Sequence, residues 1–113
     1  MDARTLQRPL GRITVSARVI AQIVARTAEE CYGVVGLSSQ GRLLGRLRSR
    51  HGVAVSDRDD GVAIELSVVV EYGLNLAEVA STVRSRVAYE VERLTRLPVA
   101  AVDVTIKDVR ASA

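Results

Sequence analysis

The stretch GRLLGRLRSRHG, residues 41–52, carries Arg42, Arg46, Arg48 and Arg50 beside the only histidine, His51, and contains no acid. Guanidinium groups present several donors in a planar fork that matches carboxylate and phosphate oxygens. The chemistry on offer is therefore anion recognition. These four arginines are the candidate contacts to an acidic partner or an anionic surface. Leu43, Leu44 and Leu47 are spaced for a turn or two of amphipathic helix with the arginines around its other side. The competing reading is a solubilising loop whose leucines pack on a sheet edge. Fifteen of the sixteen basic residues are Arg, with Lys107 the exception, a bias that a GC-rich genome also produces.

The other chemistry-bearing residues lack the companions their chemistry needs. His51 has no Cys, second His or acid at ligand spacing, so it reads as a solvated loop residue. Cys31 falls on an apolar helical stripe near a helix C-terminus, where the dipole disfavours a thiolate, and core packing accounts for it. DRDDG, residues 57–61, begins like a calcium loop, but its acids miss the required spacing and the closing position is Val68. GVVG, residues 33–36, has the form of an RNA-clamping loop, yet its middle residues are valines and it sits where a helix stops and a strand begins. Tyr32, Tyr72 and Tyr89 are too dispersed for a base-stacking platform; Tyr72 follows the long strand, where exposure at the sheet end is one reading, and packing on a helix or a polar tip at the core edge is the expected one. No nucleotide-binding, metal or hydrolase motif stands out, so no catalytic, cofactor or metal residue is assigned, no small-molecule substrate is evident, and a non-enzymatic role is expected.

The elements around these residues follow from patterning. The 113 residues fit one domain, and a core built without Phe or Trp falls to Val, Ile, Leu and Ala, which favours sheet. Arg12–Ser16 alternates as a short strand, and Ser16 is placed to cap a helix over 17–31 whose inward stripe is Ile20, Ile23, Val24, Ala28 and Cys31. Gly33 marks its stop, and a strand over Val34–Ser39 follows. Gly52–Gly73 reads as a hairpin turning at Asp57–Gly61, where Asp60-Gly61 supplies residues that tolerate φ > 0 in a tight turn. In its second strand Val62, Ile64, Leu66, Val68 and Val70 face the core, while Glu65, Ser67 and Glu71 face water. Asn75 caps the second helix, with Glu78 completing a capping box and Leu74 and Val79 a hydrophobic staple. Its stripe is Leu76, Val79, Ala80, Val83, Val87, Val91 and Leu94; Pro98 ends it and Val99–Val109 is the last strand.

The order β-α-β-β-β-α-β predicts an α+β fold, a two-layer α/β sandwich with a mixed sheet of about four or five strands and both helices on one face. The domain is expected over residues 11–109, with 1–10 a flexible N-terminal segment and 110–113 a short tail. Apolar outward positions such as Ala63 and Val69 point to self-association. No apolar run approaches the roughly 20 residues that span a bilayer, so the chain reads as soluble or, at most, peripheral to a membrane.

Four stretches in this order, ITVS into the first helix, GVVGL, VVVEYG and LPVAAVDVTI, resemble the alkaline shock protein family, the Gls-type general or envelope stress response proteins of bacteria. The resemblance spans residues 11–109. It implies a cytoplasmic α/β protein without a catalytic site or cofactor, scaffolding at the inner face of the cell membrane. It also implies recruitment by a membrane-anchored protein partner and assembly into a homo-oligomer. Direct contact with anionic lipid through Arg42–Arg50 fits that role. The alternative is a nucleic-acid-binding module using the same arginines, against which stand the acids on both helices and the lack of stacked aromatics.

Overall fold

The computed structural model describes residues 4–38 and 52–111. Eight elements follow one another: β1 (Thr5–Arg8), β2 (Gly11–Thr14), α1 (Ala17–Glu29), β3 (Val34–Leu37), β4 (Val53–Arg58), β5 (Gly61–Glu71), α2 (Leu76–Thr95) and β6 (Val99–Arg110). β1 and β2 form a two-stranded antiparallel hairpin, and β3–β6 form a four-stranded mixed sheet.

β5 organises the sheet. On one edge it pairs parallel with β6 along most of its length. Its other partners are antiparallel: β4 takes its first half, from Arg58↔Gly61 to Val53↔Leu66, and β3 its second, at Val68–Val70. The parallel pair requires a crossover, and α2 is that crossover. Val62, Ile64, Leu66, Val68 and Val70 are fully buried, as their alternation implies. They form one apolar cluster with Ile20, Ala21, Val24 and Ala28 of α1 and Val79, Val83, Val87 and Val91 of α2. Both helices therefore cover the same face, which is the expected two-layer α+β sandwich.

The helix ends follow local chemistry. Ser16 Oγ accepts from the Val19 N–H at 3.2 Å, and Asn75 Oδ1 accepts from the Glu78 N–H at 3.0 Å. Each such cap is typically worth about 1 kcal/mol. α2 leaves helical geometry at Arg96, which takes the left-handed conformation (φ 64°) and donates its N–H to Glu92 O. Pro98, expected as the stop, lies just beyond.

Four expectations need correction. Residues 5–8, placed within a flexible segment outside the domain, form β1, with Leu6 opposite Ile13. Arg4 pairs with Asp57 of β4 at 2.8 Å, and Leu6 packs against the core, so the hairpin is tied to the sandwich at its base. Leu76 and Leu94 do not lie on the buried stripe of α2 and are about half exposed; the stripe runs strictly every fourth residue, through Val79, Val83, Val87 and Val91 to Thr95. The turn between β4 and β5 is Asp59-Asp60, and only Gly61 there has positive φ. Finally, Ser67 is buried rather than wet, as is Val69 beside it. At this point β5 is flanked on one edge by the ends of β3 and β4, where the Ser38 N–H donates to Ser67 O and the Ser67 N–H donates to Gly52 O, and on the other by β6.

Candidate functional site

Arg42, Arg46, Arg48, Arg50, His51 and the three leucines among them lie outside the described residues. The structure defines the base from which they are carried. Ser38 and Gly52, on either side of residues 39–51, both hydrogen-bond to Ser67 at the middle of β5, at 3.0 and 2.9 Å. The two stems come so close that a Cβ on Gly52 would stand 2.5 Å from Ser38 O. A side chain there would push the stems apart, so glycine is required by close approach.

On the sheet face turned away from the helices, Glu65 stands beside Asp103 of β6, and Ser67 beside Thr105. Glu65 Oε2 and Ser67 Oγ are buried without a hydrogen-bond partner. Burial, and then the Asp103 carboxylate, push the Glu65 pKa up. The folded protein thus holds this proton more tightly than the unfolded chain does, and the carboxylate weakens the fold once it ionises. Glu65→Gln is expected to raise the melting temperature at pH 7, with the gain shrinking as pH falls through the raised pKa of Glu65 down to the ordinary glutamate value. A gain that stays constant down to pH 3 would show that charge is not its source.

The C-terminal end of β5 holds a second surface. The Glu71 N–H donates to Gly33 O at 2.8 Å, so Tyr32 and Tyr72, one residue beyond each, leave the same end of the sheet. The two residues are 78% and 72% exposed, which overturns the packed position expected for Tyr72. Val35, at the irregularity where β3 pairs with β5, and Val109, opposite Val70, add exposed apolar surface there, and Arg110 lies next in the chain. This grouping has no local sequence signal, because it depends on pairing between residues some forty positions apart.

Two shallow grooves flank the helices. One, about 390 Å³, lies between α1 and α2 and includes Val19, Ile23 and Leu94 with the Glu90–Arg93 ion pair. The Arg93 guanidinium, bonded at 2.8 Å, holds the Glu90 carboxyl below its usual range. The other, about 270 Å³, lies between α2 and β6 and is lined by Ala77, Ala80, Ser81, Arg84, Val102, Asp103 and Val104. Cys31 is buried, its thiol donates to Thr27 O at 3.4 Å, and burial raises its pKa, so it packs in the core as expected. Gly33 forms the turn and Val34 opens β3, which makes GVVG a helix-to-strand connection. Among the described residues no group of three or more His, Cys, Asp or Glu side chains could hold a metal ion, and no helix is long and apolar enough to cross a membrane.

The fold is a two-helix, one-sheet sandwich that solved structures also show. The MamM CTD covers 86% of this chain with all of its own length, at a TM-score of 0.53 and 12% identity, a likeness that carries the fold alone. Residues 5–111 match the alkaline shock protein 23 family, described by a cell envelope-related function. The protein YloU of Bacillus subtilis, described as uncharacterized, is 30% identical over 93% of both chains. The stress response regulator gls24 homolog of Streptococcus pyogenes is 29% identical over 88% of this chain, which spans 59% of that longer protein. The chain belongs to the alkaline shock protein 23 family, whose described function is cell envelope-related.

Proposed function

We propose that the protein acts without catalysis, as a small scaffold peripheral to the inner face of the cell membrane. It docks a membrane-anchored protein partner, self-associates, and meets an anionic surface through Arg42, Arg46, Arg48 and Arg50. The observation that carries this reading is the base of the arginine segment. Both stems are bonded to one residue at the centre of the central strand, so the segment that carries the four arginines leaves and rejoins the domain at one fixed point. The Tyr32–Tyr72 end supplies a surface of the composition that protein interfaces favour, tyrosine with arginine beside it. Residues in a basic cluster each add at most about 1 kcal/mol near an anionic membrane, so the attachment is weak alone and strengthened by assembly.

The test is cell fractionation with low-salt and then high-salt washes, run on the wild type and on a variant with all four arginines replaced by alanine. Wild-type protein should pellet with membranes and leave in salt. The variant should keep its circular-dichroism melt and bind anionic vesicles about tenfold or more weakly. Equal binding by a folded variant removes the arginine contact. Wild-type protein wholly in the soluble fraction, with a steep salt dependence of binding to RNA or duplex DNA, replaces the envelope reading with the nucleic-acid one.

A further inference from the structure

β6 borders the sheet. β5 lies along one of its edges, and no other described strand pairs with it. An edge that the described strands leave open is a template for another strand, and natural proteins either block such edges or use them. Two features beside the edge say what fits it.

The first is the groove between α2 and β6. It opens beside Val102 and Val104, and the helix contributes Ala77, Ala80 and Ser81 to its lining, with Arg84 a turn further along. Those short side chains leave room on the helix side of the edge for a side chain from an added strand. The second is charge. Register shifts leave Ala100 and Lys107 of β6 unmatched on β5, and the strand between them is regular. Laid antiparallel against a second copy of itself, with Thr105 opposite Thr105, it sets Asp103 across from Lys107 at the second copy's bulge, and Lys107 at the margin of the stretch across from that copy's Asp103. The same register sets Val104 opposite Ile106, an apolar pair on the helix side where the groove has room. Moving the two-fold axis to residue 103 would instead oppose two Asp103 carboxylates. Lys107 is the single lysine of the chain.

We propose that two copies of this protein pair through their β6 edges, antiparallel about Thr105, to make one continuous sheet. This rests on the self-association in the proposed function and names its surface. The bulge at Lys107 turns the strand beyond it, so pairing is confined to a short central stretch. The contact is accordingly modest and two-fold.

The test uses the full chain. In a Cys31→Ala background, Thr105→Cys should form a disulfide-linked dimer on mild oxidation, since directly opposed residues lie within disulfide reach. In sedimentation, Lys107→Asp should raise the dimer dissociation constant about tenfold or more, because two attractive cross-strand pairs become repulsive. The double variant Asp103→Lys with Lys107→Asp restores both pairs and should restore the dimer. A dimer that persists unchanged in Lys107→Asp without a Thr105 disulfide overturns the edge pairing and leaves self-association standing. A loss that the double variant does not repair also overturns it. A monomer at every concentration overturns the pairing and the self-association reading together.

Discussion

Gly61→Ala is expected to destabilise the domain by about 3 kcal/mol or more, a large part of the stability of a single small domain. Two separate causes converge on this residue. Its φ of 141° lies where an L side chain is strained, at a cost of about 1–3 kcal/mol. A Cβ there would also stand 2.5 Å from Pro98 O and 2.9 Å from Pro98 C, both backbone atoms. Relief requires Pro98 to move, and Pro98 O accepts from the Val62 N–H at 3.0 Å where β6 begins. The substitution thus strains the β4–β5 turn and pries β6 from β5 at once. Gly73→Ala separates the two causes: its φ is 101°, but nothing lies within 4 Å of its Cβ position. Urea titration should show Gly61→Ala losing clearly more stability than Gly73→Ala. Equal losses would mean that backbone strain alone makes Gly61 a glycine, and that the close approach to Pro98 relaxes freely.

Gly61 also marks how far the sequence can be read. The turn was legible from DRDDG between two β-rich runs, because turn residues act locally. The contact with Pro98 was not, since it joins residues that meet only after α2 has crossed the sheet. The same division holds elsewhere. Ser16 and Asn75 declare helix starts through bonds to residues three positions away, and the period of two in Val62–Val70 declares an inward face. Those signals report conformation and direction. They say nothing of what lies on the other side, so Ser67 read as wet and is buried, and Tyr72 read as packed and is exposed. β1 gives no local signal because TLQR has one strongly apolar residue, and its strand character comes from pairing with β2. At the candidate site, the arginines were plain as composition. Their common base at Ser67 and the free edge of β6 are properties of strand order, which a period of two does not encode.

Leu66→Ala is expected to remove about 3–4 kcal/mol, from lost transfer energy and the cavity left behind. Leu66 is fully buried at the middle of β5, with Val53 of β4 and Val104 of β6 directly beside it and helices above. The surrounding core is valine, isoleucine, alanine and leucine, and the chain has no Phe or Trp. β-branched neighbours are stiff at χ1 and short, so none can swing far into the void. Relaxation would therefore be small, which keeps the loss away from the low end of the range for such substitutions. Leu66→Met, which nearly conserves volume and can thread irregular space, should lose less than about 1.5 kcal/mol. Urea unfolding of both variants, with unchanged slopes, checks the argument. An alanine variant within about 1 kcal/mol of wild type would show that α1 and α2 can settle onto the sheet. The helices would then be a mobile layer, and β6, which packs against α2, would not present the fixed edge and groove that strand pairing between copies needs.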